Sequence, residues 1–449
     1  RSQVEYSGLP AAPALHGRLD RNAFPGTTDG QPRTVVENRM LTGTLRHAFA
    51  DDVRLTVSGR FYGSRIPEYG SFIYPEFYPA APASPTVFPI LTANNLIKVR
   101  EGTFDANISA KADLLGGRHE LLAGVDYDRT RFSFDMGFEG IPVGAIDLAK
   151  PSYQLAFGAR APRSLTQTDR YRTSALYVQD QATYGRLHLT GSLRYTLLNI
   201  RRIETATDQT YRRVSPRIGA TFDVAPGVAL YAGYAGAFRA ASGMASLQTP
   251  KPETLRNIEG GLKFALNRVG LSGTIAAFDQ RRNNVATDDP GNPFYSIQTG
   301  QQRARGAETD LVWEPVPAFS LLANYAYTQA EVTRDTSIPI GDALPRVPRH
   351  SGRLAVRYRV INGPAKGLSF GAGVTASSAR QLTLPNSVSV PGYMMIDAQA
   401  SYDFTRYTVE LSMINLAGRK AYDAYRYFAS PVVMPVQPRS AYLTLKVHL

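Results

Sequence analysis

Residues 187–197 read LHLTGSLRYTL. Leu187, Leu189, Leu193, Tyr195 and Leu197 alternate with His188, Thr190, Ser192, Arg194 and Thr196, which makes one face apolar and the other polar. The pair Gly185-Arg186 just before it leaves room only for a tight turn from the strand at 171–184. The same period of two recurs at 319–328, 353–360 and 441–449, and no window of comparable length keeps a helical stripe.

The connections fall into two kinds. Short turns occur at 50–52, 116–118, 185–186, 225–227, 267–268, 315–317 and 405–406, with a slightly longer one at 362–366. Between them lie long irregular segments at 65–97, 133–170, 204–210, 241–252, 284–296, 333–348, 380–391 and 418–438. Tight turns at one end and long loops at the other describe an all-β, antiparallel up-and-down transmembrane barrel of the outer-membrane type. A sandwich or propeller has no reason to sort its loops this way. About seventeen strands can be counted between residues 35 and 449, whereas single-chain barrels normally have an even number.

Composition narrows the rest. The 449 residues contain no cysteine, which excludes disulfide scaffolds, thiolate metal sites and cysteine nucleophiles. No apolar run reaches the ~18 residues of a membrane helix. Catalytic signatures are missing: there is no G-x-S-x-G, S-x-x-K, H-E-x-x-H or P-loop, and the six histidines are scattered without metal-ligand spacing. His47 and His119 sit near short turns, where solvation is expected. The net charge is +13, but the basic residues are spread along strands rather than gathered in a run, which argues against nucleic acid. In a barrel they line the lumen or meet lipopolysaccharide phosphates, and a cationic lumen favours anionic ferric chelates. Arg303, Arg305, Glu308 and Glu259 are expected to form lumenal ion-pair ladders that stiffen the wall. Trp313, Tyr402, Phe404 and Tyr407, beside short turns, read as an aromatic girdle.

An ordered series of short signatures runs through the strands. It begins with Tyr177-Val178-Gln179-Asp180-Gln181, Ser215-Pro216-Arg217-Ile218-Gly219 and Lys251-Pro252-Glu253. It continues with Glu259-Gly260-Gly261-Leu262-Lys263, the 300–308 stretch GQQRARGAE, and Pro345-Arg346-Val347-Pro348-Arg349-His350. Pro391-Gly392-Tyr393 with Asp397, Asn415-Leu416 with Tyr422, and Pro438-Arg439 complete it. In this order and spacing they resemble the barrel of TonB-dependent ferric-siderophore receptors, in particular the ferrichrome/hydroxamate branch, over essentially all of 1–449. The resemblance implies a 22-stranded barrel around an N-terminal plug, of which this chain carries the C-terminal seventeen strands without the plug or TonB box. It implies a non-enzymatic receptor in the outer membrane of a Gram-negative bacterium. Such a receptor binds a ferric siderophore at its outer loops and imports it with energy from the TonB–ExbB–ExbD complex. It is expected to need no cofactor, the iron being carried by the siderophore, and to work as a monomer in contact with lipid and lipopolysaccharide. Leu449 departs from the aromatic residue usual at the family's C-terminus. Alternatives are a passive porin-like channel and a same-family receptor for cobalamin, haem or another metal chelate.

The ligand is expected at the long loops, where aromatic side chains offer rigid contact area to an organic chelate. The candidates are Tyr69, Phe72, Tyr74, Phe77, Tyr78 and Phe88 in the first large loop, and Tyr153, Phe157 and Arg160 in the second. Tyr425, Tyr427 and Phe428 stand in the last loop. Packing of these rings on one another is the competing expectation.

Overall fold

The computed structural model describes residues 8–25, 35–138, 140–153, 160–240, 250–289, 292–404, 406–427 and 430–448. Seventeen long strands, beginning with Glu37–Ala50 and ending with Ser440–Val447, form one curved antiparallel wall paired in sequence order. Among the described residues, the first wall strand pairs only with Val53–Phe72 and the last only with Tyr407–Ile414. The wall therefore curls round without a ladder across this seam. No described helix is long and apolar enough to cross a membrane.

The alternation read in the sequence sorts the two faces. On the strand Leu165–Tyr184, Leu176 and Val178 stand 57% and 48% exposed, while Tyr177 points the other way and donates to Asp105 at 2.7 Å. Leu193, Leu230, Ile258, Leu354 and Leu443 repeat the pattern round the wall. A belt of exposed Leu, Ile and Phe this continuous suits a hydrocarbon surround. The concave face carries ion pairs, among them Arg60 with Glu101, Arg194 with Asp126 (2.9 Å for its second bond), and Lys446 with Glu410 at 2.9 Å.

The short turns obey hairpin stereochemistry. Leu115 (φ 52°) and Gly116 (φ 79°) both lie in the left-handed region, the pattern of a two-residue type I′ turn. The sequence placed this turn at 116–118; the preceding strand instead ends at Leu114 and the next begins at Gly117.

The larger difference is strand length. Val53–Phe72 and Val87–Leu114 replace the expected 53–64 and 98–115, consuming much of the loop assigned to 65–97. The 28 residues of Val87–Leu114 far exceed the ~9–11 that cross a bilayer. The wall thus rises well beyond the membrane at the long-loop end. There the loops build a second core of Leu9, Ala11, Ala14, Leu19, Ile73, Phe88, Ile90, Ile146, Leu148, Val390 and Val433. Each fully buried large aliphatic contributes about 1.5–3 kcal/mol. Short ladders frame this cap: Gly144–Asp147 on Val87–Ile90, Arg380–Gln381 on Ser389–Val390, and Tyr422–Tyr427 on Ser430–Pro435. Leu9–Pro10 pairs with Val432–Val433, so the cap spans the seam that the wall leaves open.

Candidate functional site

Two groups of loop aromatics meet in the cap. In the first, the Arg160 guanidinium lies 4.9 Å over the Tyr69 ring. Phe72 meets Phe138 at 6.0 Å, Tyr74 meets Phe77 at 4.7 Å, and the Tyr78 hydroxyl donates to the Gly140 carbonyl at 2.6 Å. In the second, the Tyr153 hydroxyl accepts from the Phe24 amide at 2.9 Å, and Tyr425 packs over Gly8, whose positive φ of 82° suits glycine. Tyr69, Tyr74 and Phe88 are buried, so the loops pack these rings into their own core. Phe77, 37% exposed, and the exposed Arg160 stand at the surface of the same group. Phe157 and Phe428 lie outside the described residues, as does the side chain of Tyr427.

The cap is tied to the wall by polar side chains, of which the sequence singled out Asn415 as part of a signature. Arg380, buried, reaches Asp423 and so joins the loop at 380–391 to the one at 418–438. Asn415, fully buried, accepts from the Arg419 amide (2.8 Å) and donates to the Arg419 and Gln437 carbonyls (2.9 and 3.0 Å), pinning both ends of the last loop. Arg21 crosses the seam to the Val436 carbonyl. Below the cap, Asp169 and Arg202 form a fully buried pair at 2.8 Å beside Tyr171, Leu198 and Ile200. A trough of about 710 Å³ follows the inner wall past Arg353, Arg357, Asp397 and Glu410. Arg353 and Asp397 are 3.5 Å apart within it.

The structure corrects two expectations. His119 is not solvated: it is buried, with Asp180 2.8 Å from Nδ1 and the Tyr184 hydroxyl 3.1 Å from Nε2. Arg303 and Arg305 do not share a face with Glu308, because alternation separates odd from even positions on one strand. Arg303 and Arg305 stand on the side of Trp313, bonding Asp279 (2.8 Å) and Gln329 (3.0 Å) on the convex face. Glu259 is on the inner face as expected, and accepts from Tyr231 at 2.7 Å.

One carboxylate of the cap is poised to respond to acid. The Thr86 hydroxyl, then the Ala149 amide at 2.9 Å, holds Asp147 below its ordinary pKa of 3.8. A depressed carboxylate stabilises the fold above its unfolded pKa, and that contribution fades as pH falls through the folded value. Amide exchange in Gly144–Asp147 is therefore expected to stay slow from neutral pH to about 5 and to quicken below about 4. Mass-spectrometric exchange at stepped pH checks this, and an Asp147→Asn variant should flatten the response.

Comparison with known proteins adds the following. A family model described as TonB dependent receptor-like, beta-barrel, matches residues 2–416. The metal-pseudopaline receptor CntO of Pseudomonas aeruginosa is 30% identical over 100% of this chain and 64% of its own length. The ferrichrome outer membrane transporter/phage receptor of Escherichia coli K12 is 26% identical over 74% of this chain and 46% of its own. The chain thus spans less than two thirds of the length of these relatives. Among solved structures, the ferric-catecholate import receptor Fiu of E. coli K12 superimposes with a TM-score of 0.80 at 18% identity, covering 100% of this chain and 70% of that one.

Proposed function

The chain belongs to the TonB dependent receptor-like β-barrel family, and from that membership we propose that it forms the wall and outer cap of a receptor importing a ferric siderophore. The family is made of outer-membrane receptors and transporters, not enzymes. The observation that carries the proposal is the aromatic–arginine cap, with Arg160 over Tyr69 and Phe77 at its surface, seated above an ion-lined wall. Rings and a guanidinium suit a bulky, anionic organic chelate. Passage is energised by TonB–ExbB–ExbD acting through a plug, as in the family the sequence resembles. The barrel works as a monomer among lipid and lipopolysaccharide, and the iron travels on the siderophore.

A second reading of the cargo has a specific support. The metal-pseudopaline receptor is a relative matched along this whole chain. Another metal chelate is thus the alternative to ferric hydroxamates. The test is uptake by a receptor-deficient strain expressing the whole receptor, supplied with ⁵⁵Fe-labelled hydroxamates or with radiolabelled zinc or nickel carried by an opine-type chelator. Uptake of one class that disappears without TonB is expected. Solute leakage that is the same with and without TonB would instead indicate a passive channel.

A further inference from the structure

Two hollows of the inner wall meet at Arg357. The trough of about 710 Å³ and a smaller hollow of about 430 Å³ share Ser320, Arg357 and Arg359 as lining. The smaller one is framed by Pro315, Val316 and Pro317 of a short turn, so together they reach the short-turn rim of the wall.

The strand register shows why the wall is hollow here. Ser320 stands opposite Arg357, Arg357 opposite Gly371, Gly371 opposite Gln399, and Gln399 opposite Ser412. The row shares one face, and Leu354, Val356 and Tyr358 of the same strand as Arg357 stand exposed on the other. In the middle of the row is bare backbone. The ladders on both sides of Gly371 run without a bulge, and its φ is not left-handed. A Cβ at this position would meet nothing closer than the Val356 carbonyl oxygen at 3.4 Å, an ordinary contact. Gly261, Gly273 and Gly306 are different, because a Cβ on any of them would collide with a neighbouring carbonyl oxygen. Crowding forces those three glycines and does not force Gly371. A glycine inside a strand weakens it, and one that the backbone does not demand marks the close approach of something else.

The charges single out the same row. Arg353 pairs with Asp397 at 3.5 Å, Arg359 with Asp403 at 3.6 Å, and Lys446 with Glu410 at 2.9 Å. Arg357 is exposed in the hollow, and among the described residues it has no ion-pair partner. Its neighbours along the row, Ser320, Gly371 and Gln399, are uncharged. A guanidinium takes a pair of anionic oxygens in a fork, and the flanking Ser320 hydroxyl and Gln399 amide add donors. Hollows of ~300–1,000 Å³ are of the size that holds a small organic ligand.

We infer that Arg357 and Gly371 form a transit site for the chelate, low on the inner wall and separate from the loop cap. Arg357 takes an anionic oxygen pair of the chelate, and the bare backbone of Gly371 leaves room for its body. This rests on the import reading and adds to it the side of the wall along which the cargo leaves.

The test uses the whole receptor in a receptor-deficient strain. The probes are a neutral ⁵⁵Fe-labelled trihydroxamate chelate and an anionic one, radiolabelled zinc or nickel on an opine-type chelator. Binding to cells lacking TonB reports the outer loops, and uptake by cells with TonB reports passage. Arg357→Gln is expected to lower uptake of the anionic chelate about tenfold and to leave its binding at the loops unchanged. Arg357→Lys should keep most of the uptake. Gly371→Leu should slow both chelates, again without weakening their binding at the loops. Arg305→Gln, which removes a charge from the convex face, should transport as wild type does. Heat-modifiable mobility on gels reports that each variant is folded. Undiminished uptake in both Arg357→Gln and Gly371→Leu would overturn the inference and leave import by the receptor standing. Equal losses for neutral and anionic chelates in Arg357→Gln would also overturn it, marking a contact with another part of the receptor instead. No uptake of either chelate by wild type would sink the import reading, and the inference with it.

Discussion

Oxidation of a Leu9→Cys/Val433→Cys variant is expected to cut chelate uptake by roughly tenfold or more, and reduction to restore it. Leu9 and Val433 are opposite one another in the ladder that crosses the seam, and both are fully buried. Opposite residues in an antiparallel pair hold their Cα atoms ~4.5–5.5 Å apart, within disulfide reach. This ladder joins the segment before the first wall strand to the loop before the last, through the middle of the cap's core. Under the proposed import function, a chelate bound above the cap has to pass these loops to enter the barrel. These 449 residues contain no cysteine, so within them the designed bond is the one disulfide that can form. Each single-cysteine variant, treated with the same oxidant, should transport normally. Complete cross-linking with undiminished uptake would show that the chelate passes elsewhere.

Breaking the buried pair below the cap is expected to cost more stability than any other single change in the wall. Asp169 is fully buried and Arg202 is 3% exposed. Gln167 and Tyr171 also donate to the same carboxylate, at 2.8 and 3.1 Å. Asp169→Ala removes the carboxylate that Arg202, Gln167 and Tyr171 share in an enclosed site, at a cost of about 3–5 kcal/mol. Replacing both partners with apolar side chains, Asp169→Leu/Arg202→Met, removes both buried charges together and should recover most of the loss. Urea unfolding followed by the fluorescence of Trp313, the chain's single tryptophan, measures both. A cost below about 1 kcal/mol for Asp169→Ala would mean that Arg202 finds water on losing its partner.

The wall was legible in the sequence because period two and the sorting of turns are local signals. Strand ends were not. Pro67 and Pro89, in a stretch rich in proline, read as loop, yet both lie in ladders, opposite Leu96 and Ala145. Proline forfeits one donor and is tolerated where that donor is not needed. Candidate loop aromatics were visible as composition, but which of them end up buried depends on how five separate loops meet, and no local pattern encodes that. His119 and Asp180 are 61 residues apart in sequence and touch only through register. A row of arginines is the plainest case. Arg100, Arg131, Arg170 and Arg201 lie between 31 and 39 residues apart, so the sequence shows dispersed charge. Four hydrogen-bonded strands turn that dispersion into a line. The four arginines share the convex face, one of the two places expected for the basic charge.

The seam has a directional consequence. Glu37–Ala50 and Ser440–Val447 both run from the long-loop end towards the short-turn end, since an odd number of antiparallel strands begins and ends in the same sense. Zipping these two edges to each other would make a parallel ladder, the less stable kind. Closure that keeps every neighbour antiparallel takes an odd number of strands inserted at the seam, from whatever source. A wall of 22 strands meets that parity with five.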